Sequence, residues 1–310
     1  IDAKNVFVVT DKAYEDLVAD QLPELPPQNI ISEPCGRDTA AAVGLAAEHI
    51  AHRDPQGVMV VLPADHYIAD VKEFRRVLKA GIDVAGEGKW VLTIGIRPSR
   101  PETGYGYIQQ GEQQGERQGT AIYKAVAFHE KPDLDRALKY LDSGNYLWNS
   151  GMFIWRVDLI RSLIASFLPQ LDAGLAQIAA SIDRVEEEQV TAAVYQDLPR
   201  ISVDYGIMEK CNEVLVIPAT FGWDDVGCWT ALARYGKADQ QGNVVKAQGV
   251  FVDTYDCLVY VPNRVVATLG VKDLLIVDDG DSLLICQKDR DQEIKKVVEA
   301  LRQAGHHEVI

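Results

Sequence analysis

The sequence predicts an α/β fold with a mixed, mostly parallel sheet, followed by a small β-rich domain at its carboxy end. Apolar runs such as "VMVVLP" and "WVLTIGI" alternate with stretches of helical periodicity, a pattern typical of βαβ units buried on both faces. After about Lys237 short strands follow one another without helices, until a charged amphipathic helix over residues 291–304. We therefore place one domain at residues 1–238 and a second at residues 239–310.

Within the first domain three kinds of segment follow in order. Strand-like "NVFVVT", "NII" and "VMVVLP" are each followed by a helical pattern, and the Ala-rich helix around "TAAAVGLAAEH" has Asp38 or Thr39 as its expected N-cap. From Gly104 the segments "GYGYIQQG", "TAIYKAVAFHEKP" and "NSGMFIWRV" predict antiparallel strands, with the Gly/Gln-rich stretch between the first two as an exposed hairpin tip. A helical section over residues 158–198 and the strand "EVLVIPAT" lead to "GWDDVGCW".

Composition restricts the function classes. Lys and Arg total 31 against 46 Asp and Glu, a net charge of −15, which argues against a nucleic-acid partner but permits a small anionic ligand in a locally basic pocket. Five widely spaced cysteines without a C-x-x-C pair predict neither disulfides nor zinc and favour the cytoplasm. No apolar run approaches the roughly 20 residues that cross a bilayer, so no membrane partner is expected.

Acidic residues follow two of the predicted strands. Asp65 comes one residue after "VMVVLP", where ligands of open α/β sheets collect, although it could instead form a turn or cap the helix that starts near Val71. Asp224 and Asp225 are adjacent in an apolar segment, and a hard divalent cation such as Mg²⁺ would offset their repulsion. The alternative for this pair is a solvated acidic turn. His66 is more typical of a hydrogen-bonded structural residue.

Two further motifs carry polar groups that a sugar could use. In "FHEKPD", Pro132 restricts Lys131 to an extended backbone, so Glu130 and Lys131 need a bend at the proline to serve one site; an ordinary charged turn is the alternative. In "WNSGMFIW", Asn149 could bond a sugar hydroxyl and Gly151 would permit close approach.

Glycines mark two other segments. "GYGYI" offers Gly104 and Gly106 but lacks the third glycine of the dinucleotide fingerprint. "EPCGRDTAAA" places Arg37 and its neighbours at a helix amino end, where an Arg fork and an Asp acceptor could read a nucleobase edge; a helix cap with a surface Arg is the alternative.

The order of the motifs resembles that of bacterial mannose-1-phosphate guanylyltransferases, of the sugar-phosphate nucleotidyltransferase superfamily. Seven motifs carry the resemblance over nearly the whole chain: "EPCGRDTAAAVGLAA", "VLPADHYI", "TGYGYI", "FHEKPD", "WNSGMFIW", "SVDYGIMEK" and "GWDDVGCW". It implies a Rossmann-like nucleotidyltransferase domain with a small left-handed β-helix at the carboxy end, and a homodimer.

The resemblance also implies residue roles. Asp65 and Asp225 would hold Mg²⁺ or another divalent cation, and with Lys131, which falls near the sugar phosphate, they form the catalytic set. The nucleotide would contact Glu33, Gly36, Arg37, Thr39 and Asp65, and the sugar would contact Gly106, Glu130, Asn149 and Asp204.

The implied reaction transfers GMP from GTP to mannose 1-phosphate by in-line attack, giving GDP-mannose and pyrophosphate. The family's opening glycine-rich loop, G-G-x-G-x-R-L-x-P, does not occur in this sequence, so we expect residues to be missing before Ile1. The alternatives are a non-catalytic nucleotide-sugar-binding regulatory subunit, a nucleotidyltransferase with another base or sugar, or a metal-dependent glycosyltransferase, which would release a nucleoside diphosphate.

Overall fold

A computed structural model describes residues 1–309, with the backbone alone at Gln292. Its internal contacts divide the chain into two compact units. The first consists of Ile1–Ala64 and Ile68–Trp223, and the second of Asp65–Tyr67 together with the chain from Asp224 onward. Each unit has its own hydrophobic clusters.

The strands are, in chain order, β1 (Val8–Asp11), β2 (Ile30–Glu33), β3 (Val58–Val61), β4 (Tyr67–Ile68), β5 (Val91–Ile96), β6 (Tyr107–Arg117), β7 (Thr120–His129), β8 (Tyr146–Arg156), β9 (Val214–Ala219), β10 (Trp223–Asp224), β11 (Val244–Val252), β12 (Leu258–Leu269), β13 (Leu274–Asp278) and β14 (Leu283–Gln287). The α-helices are α1 (Glu15–Gln21), α2 (Asp38–Arg53), α3 (Val71–Ala85), α4 (Leu134–Ser143), α5 (Val157–Phe167), α6 (Pro169–Ala179), α7 (Glu187–Tyr195), α8 (Trp229–Tyr235) and α9 (Ile294–Ala304).

The main sheet of the first unit has the strand order β3-β8-β5-β9-β7-β6. From the pairings, β3, β5, β9 and β6 run in one direction and β7 and β8 in the other, which confirms the mixed sheet, with four of its six strands in one direction. Every residue of β5 is buried, as its continuous apolar run predicts for a strand covered on both faces. The Gly/Gln-rich stretch predicted as a hairpin tip belongs mostly to β6, because its backbone pairs with β7 up to Arg117.

Strand β8 changes neighbours along its length. Its first residues pair with β6, with Trp148 opposite Tyr107, whereas its last residues pair with β3, with Phe153 opposite Val61. Gly151 lies between these halves with φ +69°, a left-handed conformation that glycine adopts without strain. In the structure Gly151 lies at the bend of the strand, and the close ligand approach suggested by the sequence stays a prediction.

Helices pack on both faces of this sheet. α2, α5 and α6 pack on one another and share a cluster with Trp155 and Tyr195, while α3 contributes Val77 and Val84 to the cluster on the other face. Arg37 is at the N-cap position of helix α2, but its side chain makes no capping bond. Asp38 follows with φ +67° and accepts a bond from its neighbour Thr39 N. Neither Asp38 nor Thr39 therefore caps this helix as predicted.

In the second unit, β11, β12 and β13 are parallel neighbours and β14 adds antiparallel to β13. These strands follow one another without an intervening α-helix, which confirms the β-rich carboxy-terminal part, and α9 follows them. The contacts also group the segment from Asp224 to Tyr235 with these strands. The division at residues 238 and 239 stays a prediction.

Among residues 1–309, no helix combines the length and apolar character needed to cross a membrane.

Candidate active site

Four side chains or backbone positions of the first unit converge where β6, β7 and β8 meet. Asn149 Nδ2 donates to Asp204 Oδ1 at 2.7 Å, and Asn149 N donates to Gly106 O at 2.8 Å. A Cβ at position 106 would collide with Glu130 Oε2, so a side chain there would displace that carboxylate from its present position. The structure thus brings together Gly106, Glu130, Asn149 and Asp204, the four residues expected to contact a sugar.

Glu130 and Asp204 are the two carboxyl groups of this sugar cluster (Gly106, Glu130, Asn149 and Asp204), and their surroundings disfavour the ionised form of each. Burial raises the pKa of Glu130, and the nearby Asp204 carboxylate raises it further, although Lys131 opposes the shift. Burial also raises the pKa of Asp204, against the bond from Asn149 that favours its ionised form. Such paired acceptors suit a ligand rich in hydroxyl donors, because each ligand bond replaces lost water.

Lys131 also lies beside the sugar cluster, but its backbone conformation is not the one that the sequence predicted. Its φ is +46°, not the extended conformation expected before Pro132, so the bend lies at the lysine itself. This turn brings Lys131 Nζ to 3.6 Å from Glu130 Oε1. Both residues line a polar cavity of about 540 Å³ with Arg136 and Glu209. The cavity therefore contains two cationic side chains beside the sugar cluster.

The segment expected to hold the nucleotide (the nucleotide segment: Glu33, Gly36, Arg37 and Thr39) is anchored by Tyr195, at the end of α7. The Tyr195 hydroxyl donates to Glu33 Oε1 at 2.5 Å, and Arg37 Nε donates to Tyr195 O at 3.1 Å. Gly36 lies between them in open space, where a Cβ would contact nothing within 4 Å. Glu33 and Arg37 are thus tied to one buried residue.

The nucleotide segment is joined directly to the sugar cluster. Thr39 Oγ1 accepts a bond from Val203 N at 2.9 Å, and Ala40 N donates to Ile201 O at 3.1 Å. Val203 immediately precedes Asp204, which begins a short π-helical turn, Asp204–Met208. Such turns occur often at functional sites. The two clusters of the first unit are therefore neighbours.

Asp224 and Asp225, in the second unit, have different environments. Asp224 is buried and accepts two bonds from the Arg234 guanidinium, at 2.6 and 2.8 Å, and one from Val226 N. Asp225 is half-buried and accepts a bond from Gly227 N at 3.2 Å. Adjacent acids in the sequence thus have separate roles, with Asp224 fixing the loop that presents Asp225.

Asp65 belongs to the same unit as Asp225. It does not cap helix α3, because Asp70 does so by accepting a bond from Glu73 N at 2.9 Å. Burial lowers the pKa of His66, while the negative charges of Asp65, Asp225 and Asp224 act in the opposite direction. Both predicted metal ligands therefore lie close enough to His66 to affect its titration.

The donors available here fit a hard cation. Among the residues that the structure describes, no three His, Cys, Asp or Glu side chains form a group that could hold a metal ion. Mg²⁺ is usually bound by one or two carboxylates, with water and substrate phosphate oxygens completing its shell. Asp65 and Asp225 match that requirement, whereas a closed zinc site would need four protein ligands.

Comparison with known proteins shows the family and the fold of the chain. The family model described as nucleotidyl transferase matches residues 2–242, and the model of the mannose-phosphate isomerase/GMP-like β-helix domain matches residues 247–301. The chain belongs to the nucleotidyl transferase family. Both parts of the predicted fold class are thereby confirmed.

Curated nucleotidyl transferases that resemble the chain are longer than it is. It is 37% identical to mannose-1-phosphate guanylyltransferase of Escherichia coli strain K12, over 99% of this chain and 65% of that protein. It is 34% identical to alginate biosynthesis protein AlgA of Pseudomonas syringae pv. tomato, over 97% of this chain and 62% of that protein. The chain thus spans less than two thirds of these relatives, and the predicted resemblance is confirmed.

Solved structures support the same family fold. The crystal structure of mannose-1-phosphate geranyltransferase from Thermus thermophilus is 36% identical, with a TM-score of 0.84, over 96% of this chain and 84% of that chain. A Helicobacter pylori mannose-6-phosphate isomerase, 22% identical with a TM-score of 0.58, covers 70% of this chain and 83% of its own, and shares the fold.

Sequence reasoning missed two residues that position the groups of this nucleotidyl transferase. Tyr195 lies at the end of α7, 162 residues along the chain from Glu33. Arg234 lies in α8, the helix that follows Asp224. Neither residue belongs to a motif. The position of Asp224 in an apolar segment could have indicated a cationic partner such as Arg234, because a buried acid requires a partner. No sequence signal pointed to Tyr195.

Asp224→Asn should destabilise the protein. The substitution removes the charge that Arg234 neutralises inside a buried setting, where charge-assisted bonds contribute most. We expect the thermal unfolding midpoint to fall by roughly 4 °C or more. Asp281→Asn, on an exposed turn, is the matched control and should leave the midpoint unchanged. Equal midpoints for the two variants would show that the Arg234 pair does not stabilise the fold.

Glu130→Gln should stabilise the protein at neutral pH. A carboxyl whose pKa is raised on folding favours the folded state below its ordinary value of 4.5 and opposes folding as pH rises through the folded-state value. Removing the charge should raise the unfolding midpoint at pH 7.5 by roughly 2 °C or more, and the gain should disappear below pH 4.5. The exposed Glu112→Gln serves as control. A lower midpoint at pH 7.5 would contradict the repulsion between Glu130 and Asp204.

Proposed function

We propose that this nucleotidyl transferase transfers GMP from GTP to mannose 1-phosphate, giving GDP-mannose and pyrophosphate. The observation that carries the proposal is the bond between Thr39 Oγ1 and Val203 N, which joins the nucleotide segment to the sugar cluster. Two ligand-binding clusters in direct contact suit a reaction between two bound substrates, because their proximity replaces a bimolecular encounter. The name of the Escherichia coli relative, mannose-1-phosphate guanylyltransferase, supports the choice of guanine and mannose.

The sugar cluster would bind the hydroxyl groups of mannose. Glu130 and Asp204 provide carboxylate acceptors, and Asn149 holds Asp204 in place by its amide. Lys131 and Arg136, which line the neighbouring cavity, would offset the charge of the sugar phosphate. Each of these groups orients the acceptor before reaction.

The nucleotide segment would select the base. Guanine presents two neighbouring donors, the ring N–H and the 2-amino group, and the carboxylate of Glu33 accepts from such donors. Arg37, Gly36 and Thr39 complete the surface that the base and ribose would contact. Adenine offers only one donor on the equivalent edge, so an ionised Glu33 favours guanine.

In the proposed reaction a phosphate oxygen of mannose 1-phosphate attacks the α-phosphorus of GTP. The new oxygen–phosphorus bond forms as the bond to the β-phosphate bridging oxygen breaks, and pyrophosphate leaves with that electron pair. Asp65 and Asp225 would hold Mg²⁺, which supplies charge neutralisation to the phosphates when bound. Lys131 contributes the same effect at the acceptor phosphate. No covalent enzyme intermediate is required.

A homodimer in the cytoplasm is part of the proposal. Apolar side chains are exposed on β12 and β14 of the second unit, among them Val265, Leu269 and Ile285, and burying such surface favours association. The five cysteines are free thiols, which fits a reducing compartment. A molar mass of one chain in light scattering at micromolar concentration would exclude the dimer.

Pyrophosphate release tests the reaction directly. The complete gene product that contains these residues is incubated with each of four nucleoside triphosphates against mannose 1-phosphate and glucose 1-phosphate. We expect GTP with mannose 1-phosphate to give the highest kcat/KM. Equal rates for all pairs would refute the specificity, and binding of GDP-mannose without pyrophosphate release from any pair would favour a non-catalytic regulatory subunit.

Asp225→Asn tests the proposed metal site. Removing the negative charge of one carboxylate that would bind the cation should lower kcat by on the order of 10²-fold in the complete gene product, comparable to other losses of one electrostatic contact. Asp281→Asn keeps the charge change but lies on an exposed turn, so its kcat should match the unmodified protein. Unchanged turnover of Asp225→Asn at saturating Mg²⁺ would remove Asp225 from the site.

A further inference from the structure

Tyr195 occupies an unusual position for a residue without a motif. Its side chain is 0% exposed within the cluster formed by α2, α5 and α6. Its hydroxyl nevertheless leaves this apolar setting to bond Glu33 Oε1, and its carbonyl accepts from Arg37 Nε. The same residue thus contacts two members of the nucleotide segment from sequence separations of 162 and 158 residues.

We propose that Tyr195 is a positioning residue for base recognition, which fixes Glu33 through its hydroxyl and Arg37 through its carbonyl. The inference rests on the proposed function, since it assigns Tyr195 a part in selecting guanine at that site. Tyr195 itself would not contact the base. Its effect reaches the ligand only through the two side chains that it holds.

The hydroxyl bond orients the Glu33 carboxylate. Because Oε1 is bound to Tyr195 at 2.5 Å, the rotation of the carboxylate about its last bond is restricted and Oε2 keeps a defined direction. Guanine recognition needs that direction, because its two donors lie along one edge of the base. A freely rotating carboxylate would lose part of this discrimination when the base binds.

The same bond favours the ionised form of Glu33. Burial raises the pKa of Glu33, as does the charge of Asp11, while the bond from Tyr195 lowers it. Burial also raises the pKa of Tyr195, with further increases from Glu33 and Cys35 against the opposing charge of Arg37. Tyr195 therefore keeps its proton and remains a donor. A protonated Glu33 carboxyl would point a hydroxyl donor at the ring N–H and 2-amino group of guanine, which are themselves donors, and the recognition bond would be lost.

Tyr195→Phe removes the hydroxyl and keeps the buried ring. We expect the dissociation constant for GTP, measured calorimetrically on the complete gene product at pH 7.5, to rise roughly tenfold, as for a lost bond to a charged group. Affinity for mannose 1-phosphate should stay within about twofold, because that ligand contacts neither Glu33 nor Arg37. The preference for GTP over ATP should fall. The pH below which GTP binding is lost, here called the acid limit, should move upward, since Glu33 loses the bond that lowers its pKa.

Two further variants separate positioning from general packing. Glu33→Asp retracts the carboxylate from the Tyr195 hydroxyl and should reproduce the upward shift of the acid limit with the tyrosine intact. Tyr123→Phe removes the hydroxyl of a half-buried tyrosine on β7 that packs against Ile108, Leu147 and Val216, and should change neither GTP affinity nor the acid limit. Thermal unfolding of all variants verifies that each is folded at the assay temperature.

Three outcomes would overturn the inference. The first is GTP affinity and acid limit of Tyr195→Phe equal to those of the unmodified protein. The second is an equal loss of affinity for GTP and mannose 1-phosphate, which indicates general disturbance, and the third is an unshifted acid limit in Glu33→Asp. Because these are binding measurements, they stand apart from turnover: absence of pyrophosphate release with every pair would refute the proposed function while leaving the role of Tyr195 to be decided by GTP binding.

Discussion

The bend of β8 at Gly151 is the constraint on which the candidate site depends. The strand must leave β6 and join β3 within a few residues, and the register of its pairing with β5 is irregular at this point. Asn149 lies just before the bend, where its backbone bonds Gly106 and its side chain bonds Asp204. A straight strand would continue the ladder with β6, and the amide would not meet both partners. The left-handed φ of one glycine therefore sets the geometry of the sugar cluster.

The two units treat buried carboxylates in opposite ways. Asp224 receives the Arg234 guanidinium and a backbone bond, so its charge is compensated within the fold and stabilises a loop. Glu130 and Asp204 face each other with only partial compensation from Lys131 and Asn149, and their pKa values are raised. Uncompensated charge at a cavity is typical of groups reserved for a ligand. The contrast separates a carboxylate that stabilises the fold from the two carboxyl groups that the proposed function assigns to the sugar.

Much of the fold follows from patterns that act over short distances. The buried strand β5, the antiparallel strands after Gly104 and the β-rich carboxy-terminal part each have a local periodicity that predicts them. Residues that converge in the sugar cluster were predicted where a motif marks them, as with Asn149 and Glu130, and their binding roles stay predictions. Local rules failed where tertiary contacts override them: Lys131 adopts a positive φ despite the following proline, and Thr39 uses its hydroxyl for Val203 in place of a cap. The link from Tyr195 to Glu33 joins distant segments, so no local pattern contains it.

The stretch from Tyr195 to Asp204 connects the nucleotide segment with the sugar cluster. At its start Tyr195 bonds Glu33 and Arg37, in its middle Ile201 accepts a bond from Ala40 N, and at its end Asp204 accepts from Asn149. Since the stretch is fixed along its length by bonds to both clusters, a shift in one cluster displaces groups that the other needs. Support of this kind suits the proposed transfer, because a reaction that relies on positioning requires residues outside the contact surface to hold the groups that would bind the two substrates.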